Sequence, residues 1–285
     1  MKPILKYRGG KSKEIPNYIH LIPKFDTYYE PFLGGGATYF YLEPEKAFVS
    51  DINSSLIQFY QEIGSDNFET VKKDLLDLQT KYEFNREIFI NRKTVNPQKR
   101  VDDPNEELYY QIRDMFNNKI KHEYTQSAIY FFINKTAYSG MIRYNSQGEF
   151  NVPYGRYANF NTNLLEKKHH NLLSKSEIYN GSYEKGFELA GPKDFIFLDP
   201  PYDTTFSDYG NEVFTGDFRE NEHRKLAIDF KNLSSPSMMI ISETPLIREL
   251  YNGYIKCSYP KSYSVNIRNR FKSEANHLII TNYKI

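Results

Sequence analysis

The pattern of apolar and polar positions divides the chain into two kinds of sequence. In residues 1–63 and 175–285, short apolar runs of β-forming type alternate with stretches of helical spacing. Residues 27–29, 47–50, 176–180, 195–198 and 237–242 read as strands, and the run Phe195-Ile196-Phe197-Leu198 is predicted to be buried. Residues 12–21, 37–42, 54–63, 217–233 and 245–251 read as helices, with Asp217 and Glu220 as a capping pair for the fourth. Strand and helix in alternation predict an α/β sheet. Residues 254–263 and 277–283 read as a terminal antiparallel pair. Their link carries Arg268, Arg270 and Lys272, a small basic patch.

Residues 64–174 follow a different pattern. Apolar positions Phe68, Val71, Leu75, Leu76 and Leu78 mark a helix over 66–82, and 106–116 and 127–134 read as two more. Residues 83–100 are polar and basic, and 102–104 break the chain. This is a mainly helical insertion into the α/β sheet. It ends in residues 138–157, where the turn formers between Asn145 and Gly148 predict a β-hairpin with arms 141–144 and 149–152. The hairpin mixes Arg143 and Arg156 with many aromatics. Basic plus aromatic on a protruding ribbon suits nucleic acid, though an ordinary surface hairpin has the same look.

Composition narrows the partners. A net charge of +1 gives no global polycationic signal, so nucleic-acid binding would rest on local patches. The single Cys257 excludes an internal disulfide framework and a thiolate zinc cluster, and makes a cytoplasmic location the default. No stretch approaches the ~18 apolar residues of a membrane span, and the N-terminus lacks an apolar signal core. No metal is expected.

The chemistry concentrates at strand ends. Asp199-Pro200-Pro201-Tyr202 follows the apolar run 195–198. Two prolines hold φ and donate no hydrogen bonds, so the strand ends in a stiff loop. That loop presents a carboxylate, a proline carbonyl and an aromatic face. The first two can accept from an NH2 group and the third can stack on a ring. A planar ring bearing an amino group fits, although the tetrapeptide alone also serves as a rigid turn. Strand 27–29 leads into Glu30-Pro31-Phe32-Leu33-Gly34-Gly35-Gly36 and a helix, an arrangement that cradles nucleotides. No P-loop lysine and hydroxyl pair follows, which disfavours a kinase or ATPase. Asp51, at the end of the next strand, is placed either for ribose hydroxyls or to cap the following helix. The opening stretch from Lys6 to Lys11 pairs two glycines with cations that suit an anion or a carboxylate. His169-His170 lies on a polar stretch and reads as solvated or structural.

Taken together and in this order, these blocks resemble the Dam/DpnM-type DNA adenine-N6 methyltransferases, over nearly the whole chain and least between residues 64 and 125. The resemblance implies a Rossmann-like S-adenosylmethionine-dependent methyltransferase sheet, formed by 1–63 and 175–285, with 64–174 as an inserted target-recognition domain. Tyr7, Gly10 and Lys11 would line the methionine end of the cofactor; the family usually has Trp where Tyr7 stands. Phe32, Gly34 and Gly36 would approach the cofactor backbone, Asp51 would hold its ribose, Ile52 would pack on its adenine, and Ser182, Tyr183 and Asp199 would contact it too. Lys6, Tyr138, Met141, Arg143, Pro153 and Tyr157 fall on DNA-contacting positions. Catalysis would rest on Asp199, the Pro200 carbonyl and Tyr202, acting on an adenine flipped from double-stranded DNA and leaving S-adenosylhomocysteine. The implied target is GATC or a related site containing GA. A monomer is expected, and a restriction endonuclease partner would be a separate chain. Two other readings stay open: an amino methyltransferase acting on cytosine N4, RNA or a glutamine amide, groups that more often carry Ser or Asn where Asp199 stands, and a DNA-binding regulator with a silent site.

Overall fold

A computed structural model describes residues 1–7, 9–203, 218–262 and 274–285. Among these, one sheet holds β1 (Tyr28–Glu30), β2 (Ala47–Asp51), β3 (Glu177–Asn180), β4 (Phe195–Leu198), β5 (Ser237–Ser242), β6 (Ile255–Ser262) and β7 (Glu274–Thr281), in the order β3-β2-β1-β4-β5-β7-β6. The first five positions run parallel, and β7 is antiparallel to both of its neighbours. The chain is a mixed α/β protein with a mostly parallel sheet, consistent with the Rossmann-like sheet expected from its sequence.

Burial on both faces explains why the central runs are apolar without interruption. In β4, Phe195 and Phe197 enter one core while Ile196 and Leu198 enter the other, and Met238/Ile240 and Met239/Ile241 divide in the same way along β5. One face is covered by α1 (Ala37–Leu42), α2 (Ser54–Gly64) and the helices of the insertion, α3 (Phe68–Val95), α4 (Pro104–Phe116), α5 (Gln126–Thr136) and α6 (Lys167–Leu173). Val71, Tyr109 and Phe131 of those helices share a continuous core with Phe40 and Val49. The other face is covered by α7 (Glu184–Leu189), α8 (Glu220–Lys231) and α9 (Pro245–Leu250).

The structure departs from the sequence reading in several places. Residues 12–21 form three single 3-10 turns, Lys11–Lys13, Ile15–Asn17 and Ile19–Leu21, instead of one helix. Pro16 lacks the N–H that a continuous α-helix would bond to the Ser12 carbonyl, so the helix cannot run through it. Helix α3 runs on to Val95, because no breaker precedes Pro97, although its buried stripe ends at Tyr82. Helices α6 and α7 were not predicted. Asp217 and the patch Arg268, Arg270 and Lys272 lie outside the described residues.

At residues 138–157 the chain turns back at Asn145 to Gly148, and the two arms face each other without forming continuous strands. The antiparallel bridges are isolated, Tyr144 to Phe150 and Ala137 to Tyr154, and the Asn145 N–H donates to the Glu149 carbonyl (2.8 Å) and the Asn151 N–H to the Arg143 carbonyl (3.1 Å). Asn145 closes the turn, its carboxamide oxygen accepting from the N–H groups of Gln147 (3.0 Å) and Glu149 (2.9 Å). Elsewhere the backbone is held by side chains of the helices. Tyr109 donates to the Val152 carbonyl (2.8 Å), and Asn117 both accepts from the Phe150 N–H (2.8 Å) and donates to its carbonyl (3.0 Å). These tethers bind the outward edge of the second arm, because Tyr144 and Phe150 face each other as a non-hydrogen-bonded pair.

Candidate active site

The sheet order places a topological switch point between β1 and β4, because the chain leaves β1 toward β2 and leaves β4 toward β5. A crevice opens at such a point beyond the carboxyl ends of the strands, where open α/β sheets bind ligands. Both sequence motifs lie there, 31–36 after β1 and 199–203 after β4.

The glycine-rich loop is shaped by close packing. Gly34 and Gly36 have φ of +47° and +64°, in the left-handed region that favours glycine. A Cβ on Gly34 would stand 3.0 Å from the Tyr7 ring, and one on Gly35 2.9 Å from the Tyr7 Cβ. The loop is therefore bare enough for the N-terminal segment to lie across it. Asp51 fixes its other side, accepting from the N–H groups of Gly34 and Asn53, both at 2.9 Å. Asn53, and not Asp51, caps α2, accepting from the Leu56 N–H at 3.1 Å. Burial pushes the Asp51 carboxyl up, and these N–H groups oppose that shift. Each Asp51 oxygen uses one lone pair here, which leaves acceptor capacity for two ribose hydroxyls. Phe32 stacks on Tyr183 at 5.5 Å, and Tyr183 is anchored by donating to Asp229 (2.7 Å). Ile52, 46% exposed, projects beside Asp51 as an apolar surface. Ser182 is exposed and bonds to Glu184. This donor set, with its aromatic wall, fits a nucleoside-bearing cofactor.

The N-terminal segment and the loop after β4 meet at Lys11. Its ammonium is buried and lies 2.5 Å from an Asp199 carboxylate oxygen; it also donates to the Tyr202 hydroxyl and to the Gly9 carbonyl (3.3 Å). The Asp199 side chain keeps about a fifth of its surface exposed. Burial pushes its carboxyl above the usual range, and the Lys11 charge opposes that displacement. The structure thus brings Lys11 to the tetrapeptide across 188 positions of sequence. Gly10 closes a turn onto Tyr7 at 3.3 Å. Pro200 is buried at the mouth of this loop.

Two carboxylates behind the site were given no role by the sequence, although Glu30 opens the glycine-rich block. Glu30 is buried at the end of β1 and accepts from the Tyr28 hydroxyl (2.7 Å) and the Tyr39 N–H (3.0 Å). Burial pushes its carboxyl up to about 8, and the Asp199 charge adds to this. Glu14 is also buried, yet Tyr259, Lys261 and His277 all donate to it. Burial alone would raise the Glu14 carboxyl, but these donors and the nearby Lys11 hold it down to about 2. The signal for His277 was a lone ionisable residue opening an apolar strand run. His169 is structural: it is buried, accepts from the Glu166 N–H (3.1 Å) and so donates to the Lys2 carbonyl (2.9 Å).

The six residues expected at DNA lie on one continuous stretch of surface and loop. Lys6 is exposed, its backbone clamped by Asn134 (2.9 and 2.8 Å) and its ammonium 4.4 Å above the Tyr157 ring. Tyr138 and Pro153 are exposed and paired, the Tyr138 N–H donating to the Pro153 carbonyl (2.9 Å). Met141 is half-buried against the core. Arg143 donates through Nε to the Asn151 side-chain oxygen (2.8 Å) and through Nη2 to its carbonyl (3.2 Å). Three of its five N–H donors point elsewhere. Among the described residues no cluster of three or more His, Cys, Asp or Glu could hold a metal ion, and no helix is long and apolar enough to cross a membrane.

A nucleotide-type crevice with a carboxylate and aromatic pair at its floor defines a group-transfer enzyme acting on a planar substrate. The comparisons say which. A family model described as D12 class N6 adenine-specific DNA methyltransferase matches residues 7–265, and the chain belongs to that family. It is 33% identical to the type II methyltransferase M.CviBI of Paramecium bursaria Chlorella virus NC1A, covering 99% of this chain and 100% of that protein. It is 29% identical to the type II methyltransferase M1.LlaDCHI of Lactococcus lactis subsp. cremoris, covering 99% and 96%. With the DNA adenine methylase of Salmonella typhi it shares 27% identity over 88% and 84%. The protein is an adenine-specific DNA methyltransferase.

Proposed function

We propose that this enzyme transfers a methyl group from S-adenosylmethionine to N6 of an adenine flipped out of double-stranded DNA, within GATC or a related site containing GA. The observation that carries the reading is the Lys11–Asp199–Tyr202 contact at the switch point, beside a loop suited to a nucleoside. Asp51 would hold the ribose, Ile52 the adenine face, and Phe32, Gly34, Gly36, Ser182 and Tyr183 the remainder, with Tyr7, Gly10 and Lys11 toward the methionine end. When bound, S-adenosylmethionine supplies an electrophilic methyl group. Asp199 and the Pro200 carbonyl accept the two N–H bonds of the flipped adenine and favour a more nucleophilic nitrogen. Lys11 offsets the burial of Asp199 and so keeps an ionised acceptor in place. Positive charge develops on N6 during transfer, and the adjacent carboxylate stabilises it. Tyr202 stacks on the ring, worth about 1–3 kcal/mol.

Residues 64–174 would carry target recognition, with Lys6, Tyr138, Met141, Arg143, Pro153 and Tyr157 at the DNA. Asn151 holds one edge of the Arg143 guanidinium, so the Nη1 end would read a guanine. The type II methyltransferase names of two relatives support a separately encoded endonuclease partner. A monomer and a cytoplasmic location complete the reading. The test is to incubate the protein with S-adenosylmethionine and unmethylated genomic DNA and to map N6-methyladenine by single-molecule sequencing. Methylation at GATC or another GA-containing site is expected. Modified cytosine, or no modified DNA, would overturn the proposal.

A further inference from the structure

Behind the tetrapeptide lies a buried ionic network that the transfer chemistry leaves unused. Glu14 stands at its centre. One oxygen accepts from the Tyr259 hydroxyl (2.7 Å) and from His277 Nδ1 (2.6 Å), and the other accepts from Lys261. The far nitrogen of His277 meets the Ser242 hydroxyl at 3.3 Å, so both sides of a fully buried imidazole are held. That ring and the Tyr202 ring pack in a T-shaped pair, with centroids 5.3 Å apart and planes inclined by 72°. From its other end, Glu14 closes the first 3-10 turn, donating its N–H to the Lys11 carbonyl at 2.7 Å. The same residue therefore braces the ring of Tyr202 from behind through its carboxylate and closes, through its backbone N–H, the turn that delivers Lys11 to Asp199.

We propose that Glu14 is a positioning residue of the methyl transfer, acting through His277 to hold the Tyr202 ring in the plane that stacks on the flipped adenine. Burying a carboxylate among three donors is justified energetically by their number, but a purely structural anchor would not need an imidazole seated on the stacking residue. Without the Glu14 carboxylate the imidazole would lose its shorter tether, and the ring contact with Tyr202 would be set less tightly. A displacement well under 1 Å is enough to lower turnover without altering the affinity for either substrate.

The inference rests on the adenine reading above, and the test separates the two. The full chain is assayed on a duplex bearing the mapped site, and base flipping is followed with 2-aminopurine in place of the target adenine. Glu14→Gln should lower kcat about tenfold, a fraction of the loss that a full ångström of misplacement causes. KM for DNA and for cofactor should stay within about twofold, and 2-aminopurine should fluoresce more brightly than with the native enzyme, because stacking on Tyr202 is weaker. In a Tyr202→Ala background, Glu14→Gln should cost nothing further. Should Glu14→Gln fail to fold, His277→Phe, which keeps a ring against Tyr202 but cuts both tethers, should show the same loss of kcat. Either variant retaining native kcat, or losses that multiply in the double variant, would overturn the positioning role. A native enzyme that methylates no DNA would overturn the adenine reading instead.

Discussion

The loops at the sheet ends and the recognition turn at 138–157 are built on opposite plans. At the sheet ends the parallel ladder fixes the strand termini, and carboxylates pin the loops that follow: Asp51 holds Gly34, and Glu30 holds Tyr39. The turn at 138–157 has only isolated bridges and two backbone bonds across its arms. Tyr82 donates to the Tyr157 carbonyl (2.6 Å), Tyr109 to Val152, and Asn117 grips Phe150, so α3 and α4 hold it from outside. The proposed catalytic residues are thus placed by strand ends, while the turn proposed to read DNA is placed largely by side-chain tethers that can change one at a time. On that reading, target preference can drift without disturbing transfer.

If this contrast is right, damage at the sheet end should abolish turnover, and damage at the turn should alter selectivity alone. The largest effect is expected at Asp199. Asp199→Ala should eliminate detectable methyl transfer while cofactor binding survives, and Asp199→Asn, which keeps one acceptor oxygen, should lower kcat by about 10²–10³. The native carboxyl is raised by burial, so activity should climb with pH as Asp199 ionises, along a limb lying above the usual carboxylate range. That limb should be absent from the Asn variant. Native-like turnover in Asp199→Ala, measured with tritiated cofactor, would break the comparison at its stronger end.

Glu30 comes next and is read through stability. Its carboxyl moves from 4.5 to about 8 on folding, so the folded chain holds a proton that the unfolded chain releases in this interval. Stability from this group is therefore complete below pH 4.5 and falls as pH rises toward 8, a loss of roughly 5 kcal/mol. Glu30→Gln keeps acceptors for Tyr28 and Tyr39 without the charge. It should match the native protein in urea unfolding at pH 5 and be clearly more stable at pH 8.5. Parallel pH profiles would show that Glu30 is charged and paired after all.

How much of this was legible in the sequence follows the same division. Strands such as Phe195–Leu198 announce themselves because burial on both faces demands unbroken apolar residues, and Pro200-Pro201 marks where the strand must stop. The placing of the glycine-rich turn and of Asp199 at strand ends was equally readable, because it depends on short local signals, whereas the switch point that joins them needs the strand order. The Lys11–Asp199 contact spans 188 positions and the Glu14–His277 contact 263, and no local pattern encodes such pairings. At the hairpin the local signal served for the turn, which Asn145 makes, and for the facing of its arms, whereas the tethers from Tyr109 and Asn117 come from distant sequence and had no local signal. Pro16, by contrast, was a visible breaker inside the predicted helix at 12–21.

At the turn, Arg143→Ala should lower discrimination at one guanine by about 1–3 kcal/mol, some tenfold to a hundredfold in kcat/KM between matched and mismatched duplexes. Cofactor affinity should not change, since Arg143 binds Asn151 and nothing at the crevice among the described residues. A variant with unchanged sequence preference would move the reading function off this side chain.

The smallest effect is expected at Arg156. This residue has φ of +54°, a region that costs a non-glycine residue about 1–2 kcal/mol, and it makes a bidentate ion pair to Glu106 at 2.9 and 2.7 Å. The pair is half-exposed, so it returns only about 0–1 kcal/mol. Arg156→Gly relieves the strain, loses the pair and gains unfolded-state entropy, terms of similar size and mixed sign. Its net effect on urea unfolding should be within about 1 kcal/mol of zero. The same variant asks whether the charge matters at the DNA. If Arg156 neutralises a phosphate, the slope of log binding constant against log salt should fall by about 1 with site preference retained. If the slope is unchanged, Arg156 serves only to tie the turn to α4, and the recognition surface ends at Tyr157.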